Sequence, residues 1–484
     1  MRIILISAAA LLVVCISCGL VLLFIFSSSQ TQLSAEEYNS VQKQHVLYPS
    51  YDLDINLKYD EHRIEVIQKV EVWNTLQEPI PELVFCVEPD GYENVMILES
   101  AEITGEPPVR LDADLSKGIL TIPLESDVAV GKKIAVTLKY SLNLFFIDSG
   151  DMHPYGNFAY AENVIQCGDF YPVLNPWEPG VGFRRWPFHP IGDPVVYPLA
   201  DYAVQVHAGK DVIVAGYGFV SKKDNVWKFE SKKARSWAFA ASKEFKTLTG
   251  GTREIPITLY YYTGNEAGAA ACLKAGEEAV GLFQEKFGPY PYKNLVLVEN
   301  GYYSSMEYSG FCTISHSHMD LYSKSYSHLL VALTAHEIAH QWWYGGVGND
   351  QVTEPWLDEA LAQYSEYLFL AKFYPEFVSW WQQNTNVRKV ANKYIDNAIF
   401  DYRDRGDYTR IIYGRAPAFI QELHRILGDD VFFAFLREYY REMTDKFATK
   451  EDFFRILSRH TDKDLTVLFA KYFRVFPDMD KWGK

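Results

Sequence analysis

Two hydrophobic periods follow one another along the chain. From Tyr48 to about Leu248 apolar residues recur at every second position: Leu53, Ile55, Leu57 and Tyr59, then Ile134, Val136, Leu138 and Tyr140, then Tyr202, Val204 and Val206. Successive side chains of a strand point to opposite faces, so this alternation predicts half-buried strands of antiparallel sheets. Proline and glycine interrupt it at Pro79 and Pro81, at Pro107-Pro108 and between Pro179 and Gly182, as turns require. Residues 48–248 are therefore predicted to form an all-β domain. Near Asn265 the period lengthens. Residues 267–287 predict a helix and 294–298 a short strand; 327–344 and 356–370 predict two further helices, with more to the end. Gly428 is placed to stop a helix that begins near Ala416. Thr449-Lys450-Glu451-Asp452 reads as a capping box ahead of Phe453-Phe454. The expected fold class is α+β, with residues 249–484 forming a mixed α/β lobe followed by a helical lobe.

The N-terminus has a different pattern. Residues 3–26 carry no charge, and at about 1.5 Å per helical residue they span the roughly 30 Å hydrocarbon core of a bilayer. A cleaved signal peptide has a shorter apolar region, about 7–15 residues. Arg2 precedes the segment and no Lys or Arg follows until Lys43, a bias that keeps the short N-terminus in the cytoplasm and exports the rest. The expectation is a single-pass transmembrane anchor over 1–27, a polar tether over 28–47 and the rest of the chain outside the cytoplasm, with the lipid bilayer as a partner. A long signal cleaved near Ser27-Ser28-Ser29 is the alternative.

Charge and cysteines narrow the function. A formal net charge of −16 without a basic stripe argues against a nucleic-acid partner. Cys15 and Cys18 fall in the apolar segment, leaving Cys86, Cys167, Cys272 and Cys312 outside it. Four cysteines allow three fully paired arrangements. Cys86 lies in Leu83-Val84-Phe85-Cys86-Val87, which predicts a buried strand and a free thiol. None has the clustered spacing of a cysteine metal site.

Candidate chemistry is concentrated between Ala335 and Ala360. His336 and His340 stand four apart, one helical turn, so both imidazoles leave the same face and can reach one zinc ion. Glu359, in Trp356-Leu357-Asp358-Glu359-Ala360, offers a third ligand and leaves the fourth position open, as a catalytic zinc site requires. Glu337, between the histidines, is placed to act as a base rather than as a ligand. The expectation is one Zn2+ per chain. Asp358 and Glu354 are candidates to steady the histidines. Trp342 and Trp343 read as core residues. His316 and His318 would share one face of a strand, but no acidic ligand stands at helical or hairpin spacing beside them. They are expected to be exposed or to line the cleft.

His336-Glu337-Ile338-Ala339-His340-Gln341-Trp342-Trp343, followed after eighteen residues from His340 by the glutamate of Trp-Leu-Asp-Glu, resembles the aminopeptidase N family of zinc metallopeptidases. Three other stretches are similar to family motifs. Phe287-Gly288-Pro289-Tyr290-Pro291-Tyr292 resembles the segment before the substrate-binding strand. Ser304-Ser305-Met306-Glu307-Tyr308 resembles G-x-M-E-N, with Tyr308 in place of Asn. Ile412-Tyr413-Gly414-Arg415-Ala416 resembles Y-x-K-G, with Arg415 and Ala416 in place of Lys and Gly. The resemblance implies a thermolysin-like catalytic domain that removes N-terminal residues from peptides. It implies Glu337 as general base, Tyr413 as donor to the oxyanion and Glu307 as the partner of the substrate's free N-terminus. Tyr408 is the nearest rival to Tyr413, and a structural ion pair is the alternative for Glu307. Two other functions stay open: a thermolysin-like endopeptidase, which does not require an acid at Glu307, and a non-catalytic tethered ectodomain. The last should have lost a ligand or Glu337, and neither is lost.

Overall fold

The computed structural model describes residues 47–148, 157–193, 195–262, 264–322, 327–384 and 393–476. The anchor expected over residues 3–26 lies outside them. Among the described residues no helix is long and apolar enough to cross a membrane.

The alternating segments of the first half do form strands. Pro49–Lys58 lies inside an eight-stranded sheet, antiparallel to Arg63–Trp73 and parallel to Ala200–His207. Leu53, Ile55 and Leu57 turn inward and are buried, while Asp54 and Asn56 between them are partly exposed. The parallel pairing departs from the expected antiparallel pattern. The long connection between Lys133–Asn143 and Ala200–His207 brings the chain back to the same end of the sheet, so the returning strand runs in the same direction. Beside the short ribbon of Trp177–Glu178 and Gly182–Phe183, a four-stranded sheet and a five-stranded sheet complete this half. The inward faces of all three share one buried apolar cluster.

The second half is built on a mixed five-stranded sheet. Its order is Lys246–Gly251, Pro256–Tyr261, Leu295–Glu299, Phe311–Ile314 and, at the edge, Met306–Tyr308. The 22-residue helix Glu266–Phe287 makes the crossover between the parallel strands Pro256–Tyr261 and Leu295–Glu299. The helix Ser327–Ala339 packs on it and on Trp356–Phe373, with Leu330, Ala335 and Ile338 fully buried. Its apolar residues are not confined to one stripe, as befits a helix surrounded by protein.

This helix ends at Ala339, five residues before the expected limit at Tyr344. Gln341 and Trp342 donate to the carbonyls of Ile338 and Ala339, three residues back, and Gly345, Gly346 and Val347 donate five residues back. Tyr344 has φ +130. The widened turn lets both indoles enter the core: Trp342 Nε1 donates to Gly288 O and Trp343 Nε1 to Ser365 Oγ. Gly428, with φ +81, ends Ala416–Leu427, and the Thr449/Asp452 capping box starts Lys450–Ser458, both as expected.

The two halves meet over a polar seam beside the edge strand. Arg235 is buried, and its guanidinium donates to Tyr197 O and to Lys446 O. Its own N–H donates to Ser309 Oγ, and Ser309 N–H donates to Ser236 Oγ.

Candidate active site

His336 occupies the last turn of Ser327–Ala339, and His340 follows immediately after the helix. Their Nε2 atoms stand 3.2 Å apart. Glu359, in the first turn of Trp356–Phe373, brings Oε2 to 3.4 Å from His336 Nε2 and 3.5 Å from His340 Nε2. All three side chains are buried. Ligands held 2.0–2.2 Å from a tetrahedral zinc ion stand about 3.3–3.6 Å from one another. The triangle therefore has the dimensions of three zinc ligands. Glu359 Oε2 is buried without a hydrogen-bond partner, as an atom reserved for a metal would be. His340 Nδ1 lies 3.0 Å from Trp343 O; donating there fixes the tautomer that leaves Nε2 free to coordinate.

Tyr413 reaches the same place from another element. It sits on a single π-helical turn, Ile411–Arg415, and its hydroxyl donates to Glu359 Oε1 at 2.5 Å. Such turns are rare, and many are found at functional sites. Tyr408 is close by, its ring 6.0 Å from that of Tyr413, and it also lines the cavity. Arg415 points elsewhere: its guanidinium donates to the carbonyls of Lys393 and Lys471 and lies over the Tyr472 ring. Glu307 occupies the middle of the edge strand Met306–Tyr308, with Oε1 3.8 Å from His340 Nδ1. A cavity of about 400 Å³ brings together Glu307, His336, Glu337, His340, Glu359 and Tyr413.

Residues 272–472 match the model of the Peptidase family M1 domain. The family likeness read from His336 to Trp343 and from Glu359 holds. Aminopeptidase M1-B of Oryza sativa subsp. japonica is 25% identical over 246 residues, which are 47% of this chain and 28% of that protein. Aminopeptidase N of Lactobacillus helveticus is 24% identical over 198 residues, 38% of this chain and 23% of its own length. The chain spans only about a quarter of the length of these curated relatives. In fold it is similar to the M1 zinc metallopeptidase from Deinococcus radiodurans, with a TM-score of 0.64 at 16% identity over 90% of this chain and 95% of that one.

Burial dominates the electrostatics of this cavity. It pushes the Glu337 carboxyl up to about 8, helped by the Glu307 and Glu359 carboxylates and opposed by the two histidines. Burial also pushes Glu359 up, but the facing imidazoles outweigh it and hold this carboxyl well below the usual range. His336 is held down by burial and raised further by Glu359 and Glu366, to about 10.

The residues supporting the three candidate ligands are not those expected from the sequence. Glu366 Oε2 stands 3.5 Å from His336 Nδ1 and is itself held by Gln363 Nε2 at 2.6 Å. Asp358 instead accepts from Gln351 Nε2 and from the N–H of Glu359. Glu354 accepts from the N–H of Lys450. The missed signal was the spacing: Glu366 follows Glu359 by seven, two turns along the same helix face. His316 and His318 open the short helix His316–Leu321, capped by Ser315, and do not lie on a strand. Ser315 supplies the cap that starts a helix there. Glu299, from a neighbouring strand, pairs with His316 Nδ1 at 2.7 Å, while His318 lines the cavity.

Tyr308 shows what the departure from G-x-M-E-N does. Its hydroxyl donates to Asp169 Oδ2 at 3.2 Å, fastening the edge strand to the β half. It lies against Gly168, where a Cβ would overlap the tyrosine hydroxyl. Cys86, Cys167, Cys272 and Cys312 are all free thiols; Cys86 is partly exposed, and the other three are buried.

Proposed function

We propose that this chain is a zinc-dependent aminopeptidase. The observation that carries the reading is the convergence of His336 Nε2, His340 Nε2 and Glu359 Oε2 within 3.5 Å, beside two further carboxylates, Glu337 and Glu307, in one cavity. His336, His340 and Glu359 would hold the zinc ion, which would supply a Lewis acid and a water acidic enough to ionise near neutrality. Glu337 takes the proton of the attacking water and returns it to the leaving amine. Its Oε2 is buried without a hydrogen-bond partner, so it is not committed to another group of the protein. Tyr413, whose hydroxyl already points to Glu359, donates to the oxyanion that develops at the scissile carbonyl.

Glu307 makes the enzyme an exopeptidase. It pairs with the free α-ammonium of the substrate, and charge-assisted hydrogen bonds of this kind are the strong ones. In this reading an endopeptidase would have no use for a buried acid on the edge strand. The substrates are peptides with a free N-terminus. The chain is anchored by residues 3–26 in the cell membrane with its catalytic part outside the cytoplasm. Support for that location is the uncharged segment and the position of Arg2.

The deciding experiment compares free and N-acetylated peptides. The full-length protein should cleave the free form far faster. Glu307→Ala should keep its zinc and lose about 2–5 kcal/mol of discrimination, by analogy with buried charge pairs at interfaces. A variant that prefers free N-termini as strongly as the parent would place the anchor elsewhere and favour an endopeptidase.

A further inference from the structure

The cavity that holds the metal ligands continues past Glu307 into the β half, and its wall there is acidic. Glu88, Asp169 and Asp193 line it, beside the rings of Tyr197, Tyr303 and Tyr308. Asp169 is well supplied with donors: Asn157 Nδ2 at 2.7 Å, the Tyr308 hydroxyl at 3.2 Å and the Tyr197 hydroxyl through a short bond. Asp193 stands near the metal end, where its carboxylate lies within 4.8 Å of those of Glu307 and Glu359.

Glu88 is different. It belongs to the short 3-10 turn Glu88–Gly91 that follows the strand Ile80–Cys86, and it is only 6% exposed. It lines the cavity, and among the described residues burial and the neighbouring carboxylates, not a hydrogen bond, govern its carboxyl group. Burial, with the charges of Asp169 and Asp193 nearby, pushes its pKa far above the ordinary carboxylate range. A carboxylate on a cavity wall with no cation of the protein beside it can take its donors from a bound ligand. Among the described residues the only lysine or arginine lining the cavity is Arg405, and its Nη2 donates to Pro190 O.

We propose that this recess receives the side chain of the substrate's N-terminal residue and selects a cationic one, lysine or arginine, which donates its terminal N–H groups to Glu88. The inference rests on the aminopeptidase reading, because it takes the α-ammonium at Glu307 as the point from which the side chain extends. A guanidinium or ammonium supplies such donors and restores the ionised carboxylate. The tyrosine rings around it favour a cation over an uncharged chain of equal length. Norleucine, with the same reach and no donor, leaves Glu88 unpaired.

The test uses the full-length protein with arginyl, lysyl and norleucyl anilides. The parent should favour arginyl and lysyl over norleucyl substrates by about tenfold or more in kcat/KM, since a site built around a hydrogen bond rejects the analogue that lacks it. In Glu88→Gln that ratio should fall by about tenfold. A parent ratio near one, or a ratio unchanged in the variant, overturns the proposal. If no amino-acyl anilide is cleaved, it is the aminopeptidase reading that fails. The recess is then judged by calorimetry of free L-arginine against L-norleucine on the parent, with equal affinity overturning it. Should Glu88→Gln not fold, the parent's arginyl-to-norleucyl ratio decides alone.

Discussion

The metal ligands and the carboxylates that face them across the cavity are built in opposite ways. His336, His340 and Glu359 lie within one stretch of the chain, on a helix end and the first turn of the next helix. Glu88, Asp169 and Asp193 come from three separate connections of the β half, 81 and 24 residues apart in sequence. The four-residue spacing brings the two histidines together, and His340, just past the helix end, still donates its N–H to His336 O. The β-half carboxylates meet only because three sheets have already packed. Chemistry that must be held to a few tenths of an ångström is thus carried by local geometry, and the recognition wall by tertiary assembly.

Substitutions at the metal end should have the largest effects. Glu337→Ala should keep stoichiometric zinc and lower turnover by about 10²–10⁴, the range for a positioned acid–base group. Metal analysis beside amino-acyl hydrolysis checks both halves of that statement, and substantial residual turnover would exclude Glu337 as the base. Tyr413→Phe comes next, with a loss of about 10²–10³ in kcat if its hydroxyl serves the oxyanion. A loss confined to KM would assign that hydroxyl to holding Glu359.

Moving outward from the ion, effects should shrink. Glu366→Gln should weaken zinc binding by about 10–100-fold, as outer partners of metal-bound histidines typically do. Competition with a chelator measures this, and unchanged affinity would mean that His336 needs no such support. At the seam, Gly168→Ala forces a methyl group into the Tyr308 hydroxyl. It should cost about 1–3 kcal/mol of stability, the usual range for overpacking. Combining it with Tyr308→Phe, which removes the obstructing oxygen, should recover part of that loss. Strict additivity in thermal melts would show that the two positions do not meet.

The same contrast decides which features are readable in a sequence. The alternation through Leu53, Ile55 and Leu57, the capping box at Thr449, the stop at Gly428 and the His336–His340 spacing are all local. Each follows from backbone geometry within a few residues. The end of the histidine helix at Ala339 was not readable, because burial of Trp342 and Trp343 overrides a sequence that continues as a good helix. His316 and His318 misled for a related reason: the cap from Ser315 outweighs an alternation only three residues long. Glu88 and Asp193 had no signal at all, since an isolated acid in a loop looks like any exposed carboxylate.

Arg235 carries the last lesson. Its guanidinium holds carbonyls from both halves, and Phe447 stacks 5.0 Å from it. A fragment beginning at Cys272, where the family match starts, would lose Arg235 and with it the strands Lys246–Gly251 and Pro256–Tyr261 from the catalytic sheet. Ser309, next to the edge strand that bears Glu307, would lose its partners on Arg235 and Ser236. The smallest piece that can be inherited, grafted or expressed as a working unit is therefore larger than the piece that sequence comparison detects.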